Sequence, residues 1–323
     1  MKVESAINSL KGNLILVAIA ALVLFTSIVE PQFLTGDNVE NIIRQFGTLI
    51  FVALGITFVI MAGFIDLSVG GIISLVAVVT VTMIDTVGQG PAILIGVSVG
   101  LVCGLLNSFL IVRSGATTLA ESLFITYGMS LVFGAVALIY VQGVTQFLTY
   151  SLTDTSIFQA INNGSLGPLS VSFLLFLACL AVLYLIQRRT YLGRSIVLVG
   201  GNKTAARLAG IPVSRSIYFV YAASGVMAAI GAVVLVSRVT LASPVMGTPY
   251  MTNAILAVVV GGTALIGGRG SVLWTVIGTL LLILMNNCLD LLGVSTYVQY
   301  ILRGAILIAA IWLDSTKQVS VGE

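Results

Sequence analysis

The chain has 323 residues, 59% of them apolar and only 8% charged, with a net charge of +3 and a mean hydropathy of +1.16. Soluble domains carry about 25% charged residues, so this composition excludes a soluble globular protein and points to an all-α, polytopic membrane protein. The basic residues sit at the ends of apolar runs rather than on one polar face, which argues against nucleic-acid binding, and the absence of histidine removes His-ligated metal sites and His proton relays.

A membrane-crossing helix needs roughly 20 apolar residues. Ten runs approach that length, at 14–33, 46–64, 69–88, 91–112, 120–142, 168–187, 216–237, 252–267, 271–292 and 296–314. The first follows Lys2 and Lys11 and reads as an uncleaved span, because no A-x-A site succeeds it. Alternating the spans from a cytoplasmic N-terminus puts Lys2, Lys11, Arg113, Arg188, Arg189, Arg194, Lys203, Arg207, Arg215, Arg269 and Lys317 inside. Only Arg44 and Arg238 then fall outside, eleven against two. This positive-inside bias predicts an even number of spans, about ten, with both termini cytoplasmic and one transmembrane domain over 1–323.

Between the first two spans, Val39, Ile42, Ile43 and Phe46 share one helical face. They form either an amphipathic helix on the outer surface or the first turns of the second span. The second and third spans are joined by MAGFIDLSVGG at 61–71, a short turn carrying Asp66 and Gly70. The fourth span has Gly96, Gly100 and Gly104, a G-x-x-x-G repeat suited to close helix packing. SGATTLAE at 114–121 is either a cytoplasmic turn or a dip into the membrane, and 142–167 is a long outer loop.

The densest charge lies at 188–215, with Arg188, Arg189, Arg194, Lys203, Arg207, Arg215 and no acid. Beyond it, VVVGGTALIGGRG at 258–270 has too many glycines for a straight helix. Gly267, Gly268 and Gly270 suit a sharp turn and close packing. Gly63 and Gly71 match Gly262 and Gly270 in spacing, which is either a trace of an internal repeat or chance.

Chemistry-bearing constellations are sparse. There is no G-x-x-x-x-G-K-[ST] phosphate loop and no nucleophile elbow or His base. Asp66, Asp85, Glu121 and Asp290 are isolated along the chain. The three cysteines, Cys103, Cys179 and Cys288, fall inside apolar runs and read as core filling. The chain therefore reads as neither an enzyme nor a cofactor protein. Arg303 lies within the last span, where a charge is a functional candidate. Its expected partner is Asp290, and Asn286, Asn287, Tyr297 and Gln299 complete a polar patch on two adjacent helices. The patch lines a solute path or gate, or it is a structural pair with Arg303 snorkelling outward.

LVGGNKTAARLAGIPV at 198–213 closely resembles permease subunits of ribose-type ABC importers, a family that takes up ribose, other monosaccharides and autoinducer-2. GFIDLSVG at 63–70, AVVVGGTALIGGRG at 257–270 and NNCLDLLGVSTYVQ at 286–299 fit the same family in the same order. The resemblance implies a bacterial inner-membrane permease paired with a second, identical or similar, permease subunit. It further implies a separate cytoplasmic ATPase that binds ATP and Mg, and a periplasmic solute-binding protein. It also implies that a short cytoplasmic helix over 202–209 docks on the ATPase, with Gly200 and Gly201 before it and Gly210 after. The residues agree: Asn202 can cap, Gly210 can terminate, and Ala205, Ala206 and Leu208 offer small packing surfaces. The rival function, an ion-coupled secondary transporter, calls for midplane carboxylates or histidines, which the spans scarcely supply.

Overall fold

A computed structural model describes residues 2–116, 118–166 and 169–319, with side chains described over 15–116, 118–165 and 170–309. The side chains of Lys2, Lys11 and Lys317, and residues Thr117 and Gly167, lie outside the described residues. In chain order the helices are α1 (Lys2–Val29), α2 (Gly36–Met61), α3 (Val69–Val87), α4 (Gln89–Ser114), α5 (Leu119–Tyr140), α6 (Ser156–Asn163) and α7 (Val171–Arg189). They continue as α8 (Tyr191–Gly201), α9 (Lys203–Leu208), α10 (Val213–Val239), α11 (Thr248–Val260), α12 (Val272–Leu291) and α13 (Thr296–Val319). Two pairs of two-residue strands complete the fold. β1 (Gln146–Phe147) is antiparallel to β4 (Leu241–Ala242), and β2 (Ser165–Leu166) to β3 (Leu169–Ser170).

Each of the ten hydrophobic runs has its apolar helix. Seven described helices, α2, α3, α4, α5, α7, α10 and α12, are long and apolar enough to cross a membrane. Ile15–Val29 of α1, α11 and Thr296–Ala309 of α13 are shorter apolar stretches. The helices divide by burial. The most apolar stretches of α2, α3 and α10 are 72% buried, against 22% for α5 and 17% for α7, so the first three form the core and the last two its flank.

The glycine repeat of α4 explains how the core closes. A Cβ on Gly100 would stand 2.6 Å from the Gly225 carbonyl oxygen of α10, and one on Gly104 2.2 Å from that of Tyr221. Only residues without a side chain let the two backbones approach this closely. Gly96 instead faces Thr80 of α3.

One open reading is resolved. The segment at 35–46 is the start of α2, which runs unbroken from Gly36. Ile42 and Phe46 pack into the core while Val39 and Ile43 stay exposed. On either side of Thr117, Gly115 closes α4 at φ +71° and α5 opens with a capping box. The Thr118 hydroxyl accepts from the Glu121 amide at 3.2 Å, and the Glu121 carboxylate accepts from the Thr118 amide at 2.9 Å. The stretch at 188–215, expected as a loop with one short helix, contains two. Thr190 starts α8 by accepting from the Gly193 amide at 3.2 Å.

Candidate functional site

The segment between α2 and α3 is no surface turn. It folds back into the bundle, and Asp66 is wholly buried. One Asp66 oxygen accepts from the Ser68 amide at 2.9 Å and the Ser68 hydroxyl at 2.6 Å; the other accepts from the Ser224 hydroxyl at 2.8 Å. Ser224 lies well inside α10, so the contact is roughly 16 Å from that helix's start at 1.5 Å per residue. Non-helical backbone at such depth must find protein partners, and it does. Ile65 N–H donates to Ser122 at 3.1 Å, Leu67 N–H donates to Thr126 at 3.0 Å, and the Ile65 carbonyl accepts from the Tyr221 hydroxyl at 2.9 Å. Asn107 of α4 donates to the Ser68 hydroxyl at 2.6 Å. The apolar sequence around 63–70 has no signal for these partners, which come from α4, α5 and α10. Gly70, expected in the turn, lies in the first turn of α3. A Cβ on Gly70 would come 3.2 Å from the Gly247 carbonyl oxygen, and one on Gly247 2.0 Å from the Gly70 carbonyl oxygen.

Three glycine turns meet below this break. Gly268 N–H donates to the Met61 carbonyl at 2.9 Å. A Cβ on Gly200 would fall 1.9 Å from the Met61 oxygen and 2.5 Å from the Gly268 nitrogen; one on Gly267 would fall 2.6 Å from the Gly63 Cα. A Cβ on Gly270 would meet the Met61 side chain at 2.5 Å. The ends of α2, α8 and the 261–270 turn are thus fused at backbone distance. Helices α2 and α11 also end alike. Phe64 N–H reaches Val59 O and Thr263 N–H reaches Val258 O, with Gly63 and Gly262 at φ +76° and +87°. The matched spacing at Gly71 and Gly270 is not carried into structure, since Gly71 lies inside α3 and Gly270 precedes α12.

Helix α9 projects from this junction. Asn202 caps it by accepting from the Ala205 amide at 2.9 Å, and Gly210 ends it at φ +77°. Its inward residues are Ala206, 4% exposed, and Lys203, whose ammonium donates to the Gly63 carbonyl at 3.1 Å and lies 3.6 Å from the Phe64 ring centroid. Burial pushes the Lys203 pKa down to about 8, against the pull of the Glu121 carboxylate. The outer side carries Ala205 and Leu208, the latter 85% exposed. Gly201 is also exposed, and no Cβ clash would meet a side chain there. Arg113, Arg188, Arg194, Arg207 and Arg269 lie at this same end of the bundle, on or between the helix ends gathered there.

The predicted polar patch is assembled at the opposite end, on α12 and α13, with three differences. Arg303 does not reach Asp290 directly. It donates to Asn286 at 3.1 Å and to Gln299 at 3.0 Å, and Gln299 in turn donates to Asp290 at 2.7 Å. Asn287 turns the other way and exchanges two hydrogen bonds with Asn38 of α2, at 2.7 and 3.0 Å. Tyr297 points away from the chain, 81% exposed. Beside Arg303 runs a groove of about 270 Å³ lined by Thr252, Asn253, Leu256, Tyr300, Gly304 and Leu307. Asn38, Thr252 and Asn253 are the members that sequence reasoning missed, since they lie far away in the chain. Among the described residues no group of three or more Cys, Asp or Glu side chains could hold a metal ion.

The family model for the "Branched-chain amino acid transport system / permease component" matches residues 38–311. The ribose import permease protein RbsC of Escherichia coli (strain K12) is 34% identical over 309 residues, 94% of this chain and 93% of that protein. The autoinducer 2 import system permease protein LsrD of Photorhabdus laumondii is 35% identical over 306 residues, 91% of this chain and 89% of its own. The galactose/methyl galactoside import permease protein MglC of E. coli (strain K12) is 32% identical over 338 residues, 97% of each. No solved structure matches significantly. The matched region holds the buried break, the glycine junction, α9 and the polar patch, and the chain belongs to this permease family as a multi-pass inner-membrane transport subunit rather than an enzyme.

Proposed function

We propose that this chain is the membrane-spanning subunit of an ATP-binding-cassette importer that carries a monosaccharide or sugar-like solute inward. The observation that carries the reading is α9, a capped helix with Leu208 exposed and Lys203 anchored at the break between α2 and α3. A partner ATPase, which binds ATP and Mg, grips Ala205 and Leu208 on the cytoplasmic side. Closure of the ATPase passes through Lys203 and Gly200 into the ends of α2 and the 261–270 turn. Gly200, Gly201, Asn202, Ala206 and Gly210 set the shape and attachment of that helix, and Asp66, Gly70, Gly267, Gly268 and Gly270 hold the segments it moves.

The outer patch serves as the solute path or its gate. Arg303, Asn286, Gln299, Asp290, Asn287 and Tyr297, with Thr252 and Asn253, offer donors and acceptors to a hydroxylated solute. A half-buried guanidinium at a groove favours a polar path over lipid. A second permease subunit, identical or similar, completes the path, and a periplasmic solute-binding protein delivers to the outer end. The whole chain, 1–323, acts as one membrane domain with both termini cytoplasmic.

The test is a mild-detergent pull-down of the tagged chain from its host, followed by uptake assays with labelled ribose, galactose, autoinducer-2 and leucine. Near-stoichiometric recovery of a Walker-motif ATPase, with chain-dependent uptake of one of the first three, is the expected result. Recovery without an ATPase, under conditions where a known ABC complex survives, overturns the importer reading. Chain-dependent uptake of leucine alone overturns the solute class.

A further inference from the structure

A second basic feature adjoins the glycine junction, where Gly268 and Gly270 form part of its wall. A cavity of about 330 Å³ is lined by Ile15 of α1, Arg188 at the end of α7, Val197 of α8, Arg269, Ser271 and Trp274 of α12. Gln187 builds it. Its amide nitrogen donates to the Gly270 carbonyl at 2.8 Å, and its amide oxygen accepts from the Val272 amide at 3.1 Å. This two-way clamp ties the last turn of α7 to the first of α12 and brings Arg188 and Arg269 to one cavity wall. Both arginines are exposed. Among the described residues neither guanidinium has a hydrogen-bond or ion-pair partner, and no acid lines the cavity.

We infer that this cavity binds the headgroup of an anionic phospholipid of the inner leaflet. Three features select a lipid over a protein acid. The site lies on the flank, between α1 and α7, and α7 is the least buried of the long spans, at 17%. Its walls combine charge with an apolar side, Ile15, Val197 and Trp274, and Leu16 and Val17 beside Ile15 are exposed. Arginine pairs match phosphate oxygens through paired N–H donors, tryptophan favours the membrane interface, and basic pockets between helices on the cytoplasmic side are suited to acidic lipid headgroups. The phosphodiester takes Arg188 and Arg269, and the acyl chains lie along α1 and Trp274. The lipid thereby braces the joint between α7 and α12, next to the glycine junction.

The test uses the full chain in nanodiscs, titrating phosphatidylglycerol into phosphatidylcholine while following thermal unfolding. Phosphatidylglycerol raises the melting temperature saturably, and Arg188→Gln/Arg269→Gln raises the half-saturating fraction at least fivefold. Arg113→Gln/Arg215→Gln, also at the basic end, leaves it unchanged. A second measurement needs no arginine variant. In a Trp312→Phe background Trp274 is the sole tryptophan, and brominated phosphatidylglycerol quenches it more strongly than brominated phosphatidylcholine at equal mole fraction. Equal quenching by the two lipids overturns the proposal. So does an unshifted titration in the double variant, or a melting rise reproduced by inorganic phosphate alone, which makes the site a free-anion site.

Discussion

Lys203 donates to the Gly63 carbonyl at 3.1 Å while its ammonium stands 3.6 Å from the Phe64 ring centroid. One side chain thus links α9 to the residues that lead into the buried break at Asp66. Lys203→Met keeps the apolar stem but loses the donor and the cation–π contact, worth about 0.5–2 kcal/mol. ATP-driven uptake in proteoliposomes falls at least fivefold, while ATPase activity and membrane insertion persist. Burial holds the Lys203 pKa at about 8, below the usual 10.5. The folded state therefore binds this proton more weakly than the unfolded state. The resulting penalty is complete below about pH 8 and is relieved as pH rises from about 8 to 10.5. Amine acylation of Lys203, followed by mass spectrometry, has its midpoint near pH 8, while an exposed lysine titrates near 10.4.

Leu208 and Ala206 sit on opposite sides of α9. Leu208→Asp places a charge on the exposed side and weakens ATPase recovery in a pull-down by about tenfold or more, on the scale of a hot-spot contact of about 1–2 kcal/mol. The melting temperature of the isolated chain is unchanged. Ala206→Leu pushes against the bundle and lowers that melting temperature, consistent with overpacking costs of about 1–3 kcal/mol.

Asp66 accepts three hydrogen bonds while wholly buried. Asp66→Leu strands those donors at about 1–3 kcal/mol each, enough to lower expression and melting temperature sharply. Ser224→Ala removes one donor and costs about 1 kcal/mol. Thermal unfolding in detergent ranks the two.

Gly225 and Gly96 test the packing of α4. A Cβ on Gly225 would lie 2.1 Å from the Gly100 carbonyl oxygen, a backbone atom, whereas one on Gly96 would lie 2.1 Å from the Thr80 hydroxyl. A side chain can turn aside; a helix backbone can move only with the whole helix. Gly225→Ala is therefore the more destabilising by at least about 1 kcal/mol, read as the difference in melting temperature.

At the outer patch, Arg303→Met abolishes solute uptake while the assembled complex is still recovered, the result expected of a path residue. Gln299→Leu breaks the bridge from Arg303 to Asp290 and lowers uptake by a smaller factor, about three- to tenfold, with the same recovery. Loss of the assembled complex in both variants assigns the patch a purely structural role.

Much of this was legible in the residues alone. Long apolar runs form helices in lipid because backbone groups have no other partner there, so the positions of the ten apolar helices follow from composition along the chain. The glycine spacing of α4, the Asn202 cap and the Gly210 terminus are local rules of helix chemistry, and they appear where the residues place them. The tertiary structure decided what depends on segments far apart in sequence. Asp66 looked like a turn residue because its partner Ser224 is on α10. Gly70 looked like another because the approach of Gly247 is invisible in the chain. Arg303 was matched to Asp290 by sign of charge, yet Gln299 and Asn286 are closer once α12 and α13 pack. Local preference and hydrophobic length are properties of a stretch of chain; burial and hydrogen-bond satisfaction are properties of what that stretch meets.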